Sequence, residues 1–167
     1  LGTELSIQSD WPSGFYLVRF ETAQSETAEA YLVVRSQKPL DAILVLSTST
    51  WAAYNNWGGP SFYTGSHVSS FERPLPKGFL AKEDLHRFRF ARVVDWSRSD
   101  RQDYKNLGYS TWCMAAGWAN WELLFVRWAE RNGITLGYAT SSDLDAGGEL
   151  LDGYPAYVSV GHDEYWS

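Results

Sequence analysis

Two stretches of the chain combine polar and aromatic side chains that could do chemistry. They are "TSTWAAYNNWGGPSFY", residues 48–63, and "GHDEYWS", residues 161–167. Together they hold phenol, amide, imidazole and carboxylate groups, a mixture that suits a small polar ligand in a largely apolar cavity. The polar candidates are Tyr54, Asn55, Asn56, Tyr63, His162, Asp163 and Glu164. The expected walls of the cavity are Trp51, Trp57, Tyr165 and Trp166.

Each polar candidate also has a structural interpretation that the residues alone leave open. Tyr54 is compatible with a half-buried tyrosine whose hydroxyl is satisfied, and Glu164 with a carboxylate near a helix start. His162 is compatible with an ordinary hydrogen-bonded loop histidine.

The elements that precede the two stretches explain why their side chains should meet. The first stretch follows the apolar run "AILVLS", Ala42–Ser47, which is typical of a strand buried on both faces. The second stretch follows "AYVSVGH", residues 156–162, a further predicted strand. Because ligands bind outside the carboxyl ends of parallel strands, we expect Tyr54 and Glu164 to lie at one edge of the sheet.

The remaining segments predict a β-hairpin followed by alternating helices and strands. "GFYLVRFE" and "EAYLVVRS" form the hairpin, and residues 48–106 read as a long loop region. Helical spacing of apolar residues predicts a helix from Thr111 to a stop at Gly133, with Trp118, Trp121 and Trp128 packed in the core. A strand then follows at residues 134–140. We therefore predict a β element at 1–38 and an α/β domain at 39–167 that is truncated at its C-terminal end.

Composition excludes several classes of function. The 167 residues carry a net charge of −6, and no basic run stands out beyond "RFRFAR" at 87–92, which argues against a nucleic-acid partner. No apolar run approaches the roughly 20 residues of a membrane span. The single cysteine, Cys113, cannot form an internal disulfide. The motifs of serine hydrolases, zincins and P-loop nucleotide hydrolases are absent from the sequence.

Four stretches in order resemble the C-terminal region of the N,N-dimethylformamidase large-subunit family. They are "STSTWAAYNNWGGPSFY", "SSFERPLP", "WELLFVRWAERNGI" and "YVSVGHDEYWS". The resemblance implies a parallel-sheet α/β sandwich like that of class I glutamine amidotransferases, preceded by a short β-hairpin element. It also implies hydrolysis of the C–N bond of a small amide. A small accessory subunit and a homo-oligomer are the further partners that it implies.

The same resemblance implies a mononuclear ferric iron held by two tyrosines and one glutamate. Glu164 matches the glutamate, Tyr54 matches one tyrosine, and His162 matches a histidine near the metal. Leu75 stands where relatives carry the second tyrosine, so Tyr63 or Tyr104 must substitute if the metal is bound. We predict Tyr54, Tyr63 and Glu164 as metal ligands. The predicted catalytic residues are His162, Glu164 and Asn55.

Two other functions stay open from the sequence. Exposed tryptophans stack on sugar rings, so a carbohydrate or cell-surface binding module is one alternative. A non-catalytic scaffold with a vestigial pocket is the other, and Leu75 is its best support.

Overall fold

A computed structural model describes residues 4–82 and 106–166 of the chain. The strands β1 and β2 span Gly14–Glu21 and Thr27–Val34, and β3, β4 and β5 span Ala42–Leu46, Leu136–Thr140 and Tyr157–Val158. The helices α1, α2 and α3 span Thr48–Tyr54, Glu122–Arg131 and Ser141–Ala146. Short 3₁₀ helices lie at Phe62–Thr64 and Gly148–Leu151. The architecture is therefore mixed α/β, as predicted.

The predicted hairpin is confirmed, and it packs directly on the core. Strands β1 and β2 pair antiparallel with Gly14 opposite Val34. The ring of Phe15 stacks on Trp118 with centroids 4.0 Å apart, and the Tyr31 ring meets Trp51 edge-on at 5.5 Å. One face of the hairpin thus covers the same hydrophobic cluster that the sheet buries.

The parallel sheet has the order β4-β3-β5, with β3 at its centre. Both pairings are parallel, as predicted, and all five residues of β3 are buried. Leu44 and Leu46 face the larger apolar cluster, whereas Ile43 and Val45 face a smaller one on the opposite side. This alternation explains the continuous apolar run, because the central strand is covered on both faces.

The prediction of a loop from Thr48 onwards is wrong for the first seven residues, because these form α1. A single residue, Ser47, separates β3 from helix α1, which ends where Asn55 takes an extended conformation, with φ −68° and ψ 113°. The turn-forming residues of this stretch, two asparagines and two glycines, all lie beyond Tyr54. The segment before them is therefore free to continue as a helix.

The helix predicted from Thr111 begins only at Glu122. Gly117 has φ +107°, and a Cβ atom there would come within 2.6 Å of the Phe79 backbone, so the chain turns at this glycine instead of coiling. The buried face of α2 consists of Glu122, Val126 and Ala129.

The predicted tryptophan stripe is therefore only partly right. Trp118 is buried, but Trp121 and Trp128 are 40% and 52% exposed. The strand predicted at 156–162 is also too long, because β5 contains only Tyr157 and Val158. The chain turns at Gly161, whose φ is +75°.

The amidotransferase-like sandwich and the division at residue 38 stay predictions. In the described part of the chain, no helix is both long and apolar enough to cross a membrane.

Candidate functional site

Two phenols converge on one carboxylate at the carboxyl edge of the sheet. Tyr54 stands at the end of α1, Tyr63 lies in the 3₁₀ helix that follows, and Glu164 lies beyond β5. The Tyr54 hydroxyl donates to Glu164 Oε1 at 3.3 Å, and the Tyr63 hydroxyl donates to the same oxygen. The expected proximity of Tyr54 and Glu164 is thus observed, with Tyr63 as a second phenol.

His162 contacts the other oxygen of the same carboxylate. Its Nε2 lies 2.7 Å from Glu164 Oε2, and its Nδ1 lies 2.9 Å from the carbonyl oxygen of Ala115. A carbonyl oxygen only accepts hydrogen bonds, so Nδ1 carries a hydrogen and donates it to Ala115. This bond fixes the ring with Nε2 directed at the carboxylate. We call Tyr54, Tyr63, His162 and Glu164 the phenol–carboxylate cluster.

The hydrogen bonds of the cluster favour an ionised carboxylate and protonated phenols. The bond from Tyr63 lowers the pKa of Glu164, and the bonds from His162 and Tyr54 act in the same direction. Burial raises the pKa of Tyr54, and the nearby charge of Glu164 adds to this effect. Loss of solvent around its hydroxyl, together with the bond to Glu164, raises the pKa of Tyr63.

Aromatic rings enclose one side of the cluster. The rings of Tyr54 and Tyr63 stack with centroids 4.3 Å apart, and the Trp112 ring lies 5.4 Å from each of them. Tyr54 is buried, whereas Tyr63 is 44% exposed, so the cluster opens to solvent on the Tyr63 side. Trp112 is not among the predicted site residues, because its segment has the spacing of a helix but forms turns.

The expected walls of the cavity differ in burial and in position. Trp51 is 1% exposed and belongs to the core, where its indole N–H donates to Glu122. Trp57 and Trp166 are 50% and 61% exposed. Tyr165 contacts the cluster, since its hydroxyl lies 2.8 Å from that of Tyr63.

Two of the predicted amide and acid residues have other partners. Asn55 is buried, and its amide group donates to the Pro74 carbonyl and accepts from the Trp57 N–H, which braces the loop after α1. Asp163 accepts from the Ser159 hydroxyl at 2.6 Å. A catalytic role for Asn55 stays a prediction.

The remaining residues of the site prediction are Asn56, Leu75 and Tyr104. Asn56 accepts a hydrogen bond from the Ser110 hydroxyl at 2.8 Å. Leu75 packs against the main core. Tyr104 lies outside the described residues.

The oxygen donors of the cluster suit a hard cation such as the ferric ion that the family resemblance implies. Within residues 4–82 and 106–166, no group of three or more His, Cys, Asp or Glu side chains could hold a metal. A metal at this edge would therefore depend on the phenol oxygens of Tyr54 and Tyr63. Phenol and carboxylate oxygens are hard ligands of the kind that hard cations prefer.

Fold and geometry define an α/β domain with an oxygen-rich candidate site at the edge of a parallel sheet. Residues 2–167 match the family described as N,N-dimethylformamidase beta subunit-like, C-terminal. The chain belongs to this family, and the predicted resemblance is confirmed. A comparison with curated proteins gave no significant match.

Proposed function

We propose that this domain carries the metal centre of a hydrolase that cleaves the C–N bond of small, uncharged amides. The observation that carries the proposal is the convergence of the Tyr54 and Tyr63 hydroxyls on one oxygen of Glu164. Membership in a family named after N,N-dimethylformamidase supports the reaction class. Membership alone does not fix an activity, so the proposal depends on the site.

Tyr54, Tyr63 and Glu164 would hold the ion through their side-chain oxygens. Both phenol hydroxyls donate hydrogen bonds to Glu164. A metal ion bound by the phenol oxygens would therefore have to displace the phenol protons. A bound ferric ion would supply Lewis acidity, which polarises an amide carbonyl and makes water more acidic.

His162 would hold or move a proton at Nε2. Its Nδ1 hydrogen bond to Ala115 keeps the ring in one orientation, and histidine is the commonest general acid or base. The Trp112 ring, beside both phenols, would exclude water from one side of the cluster.

The family is named after a beta subunit, which implies a multi-subunit assembly. We propose that this protein, too, works with a small accessory subunit and as a homo-oligomer. Size-exclusion chromatography with light scattering, on protein co-expressed with its chromosomal neighbours, measures both features. A monomer that copurifies with no other chain contradicts this part of the proposal.

Iron content and amine release test the function directly. The full-length protein is expected to contain stoichiometric iron, to absorb visible light through tyrosinate-to-iron charge transfer, and to release amine from simple amides. Tyr54→Phe and Tyr63→Phe should each lose iron, the absorption band and the activity. Tyr31→Phe is the matched control, because the Tyr31 ring packs on Phe15 and Trp51 within the core.

Two results would contradict the proposal. One is a colourless, iron-free protein that releases no amine, which would favour the scaffold or carbohydrate-binding alternatives. The other is full retention of iron by both cluster variants and by Glu164→Gln.

A further inference from the structure

A buried threonine holds the backbone of the segment that carries the cluster carboxylate. The hydroxyl oxygen of Thr50 accepts a hydrogen bond from the N–H of Glu164 at 3.1 Å and from the N–H of Tyr165 at 3.3 Å. Thr50 is fully buried. Its hydroxyl therefore binds the backbone on the buried side of the cluster, and it is not one of the side-chain oxygens that would bind a metal.

Thr50 and Tyr54 are four residues apart on α1, so they lie on the same face of the helix, one turn from each other. Tyr54 supplies a phenol to the cluster, and Thr50 holds the main chain of the residue that supplies the carboxylate. A single rigid element thereby sets the position of both groups. Residues 164 and 165 lie beyond β5 and are not part of a strand or helix, so this contact is important for their placement.

We propose that Thr50 is the positioning residue of the cluster, which fixes the Glu164 carboxylate opposite the two phenols. This inference rests on the proposed function, since positioning matters for metal affinity. Residues outside the coordination sphere orient the ligands of a metal and tune its binding. Their loss commonly lowers metal affinity 10–100-fold.

Helix α1 offers a matched control for the loss of a hydroxyl. The hydroxyl oxygen of Thr48 is buried and has no hydrogen-bond partner among the described residues. Thr50→Val and Thr48→Val both replace a buried hydroxyl with a methyl group of similar size. Only the first removes an acceptor that the 164–165 backbone uses.

The first measurement is iron affinity, determined by titration of the full-length, metal-free protein with ferric ion under a competing chelator. Thr50→Val is expected to weaken binding about 10–100-fold. Thr50→Ser keeps the hydroxyl and should restore affinity close to that of the unaltered protein. Thr48→Val should also leave the affinity close to that value. Equal affinities for Thr50→Val and Thr48→Val would overturn the inference.

The second measurement needs no metal and separates this inference from the proposed function. Amide hydrogen exchange at Glu164 and Tyr165 should accelerate in Thr50→Val, and it should stay slow in Thr50→Ser and Thr48→Val. If the unaltered protein binds no iron, the proposed function fails, and exchange alone decides whether Thr50 anchors the segment. Lost protection together with unchanged iron affinity would overturn the positioning role.

A folding defect in Thr50→Val would not remove the test. Thr50→Ala and Thr50→Ser both lack the threonine methyl and differ only in the hydroxyl, so the same two measurements on this pair isolate the acceptor. Equal iron affinity and equal exchange in the pair would overturn the inference.

Discussion

A buried carboxyl on α2 is expected to make the stability of the fold depend on pH. Glu122 is 1% exposed. One of its oxygens accepts from the Ser47 hydroxyl at 3.0 Å and from the Trp51 indole N–H at 3.2 Å. The other oxygen has no hydrogen-bond partner among the described residues. Glu122 thus connects the start of α2 to Ser47, between β3 and α1, and to Trp51 in α1.

The magnitude of the effect follows from the pKa of this carboxyl. Burial raises the pKa from 4.5 to about 7, although the bonds from Ser47 and Trp51 oppose the change. Below pH 4.5 the carboxyl is protonated in both the folded and the unfolded chain. Between pH 4.5 and about 7 the unfolded chain releases its proton first, so the free energy of unfolding falls as pH rises. At about 1.4 kcal/mol per pH unit, the total loss is about 3 kcal/mol.

Glu122→Gln should remove this pH dependence. The amide oxygen can still accept from Ser47 and Trp51, and the side chain stays neutral at every pH. Below pH 4.5 we expect the variant and the unaltered protein to have similar free energies of unfolding. Above pH 8 we expect the variant to be more stable, by about 2–3 kcal/mol.

Urea unfolding at several pH values between 4 and 9, with a chelator present, measures the difference between the two proteins. Taking the difference cancels the contribution of other titrating groups. Glu130→Gln, which removes an exposed carboxyl from the same helix, controls for the loss of one negative charge. A difference for Glu122→Gln that stays constant over this pH range would refute the reasoning.

Three further predictions follow from packing and burial. Gly161→Ala should destabilise the fold by about 1–3 kcal/mol, because φ is +75° and the new Cβ would come within 2.3 Å of the Trp121 ring. Normal thermal stability in this variant would contradict the prediction. Phe15→Ala should lower the free energy of unfolding by about 1–3 kcal/mol in urea, because the partly buried ring stacks on buried Trp118; a loss below about 0.5 kcal/mol would show that the hairpin is not part of the core. Cys113 is fully buried and burial raises its pKa to about 11, so a thiol reagent should label it only after unfolding. Rapid labelling of the native protein would contradict this.

Two features could be predicted from the sequence, because both depend on regular patterns. They are the parallel sheet and the proximity of the segments that follow β3 and β5. A continuous apolar run identifies β3, and the carboxyl-edge rule for parallel strands places the residues after β3 and β5 together. The contact between Tyr54 and Glu164 is an instance of that rule. Their roles as metal ligands stay predictions.

Helix boundaries and burial were harder to predict, because they depend on contacts between distant residues. Spacing alone cannot show which face of the helix is buried. Trp121 and Trp128 recur at a helical interval, and so do Val126 and Ala129. The second face is buried, and its third member is a glutamate, which no hydrophobic pattern would select. The break at Gly117 likewise depends on its close contact with Phe79, a residue far away in the sequence.

The hydrogen bond between Tyr54 and Glu164 spans 110 positions of the chain. The assembled sheet and α1 hold the two oxygens together, because residues so far apart in the sequence have no local contact that would do so. An ion bound by both oxygens would therefore be released when the whole domain unfolds. Its release during denaturation should coincide with the loss of circular dichroism, and prior removal of the ion by a chelator should lower the midpoint of that loss.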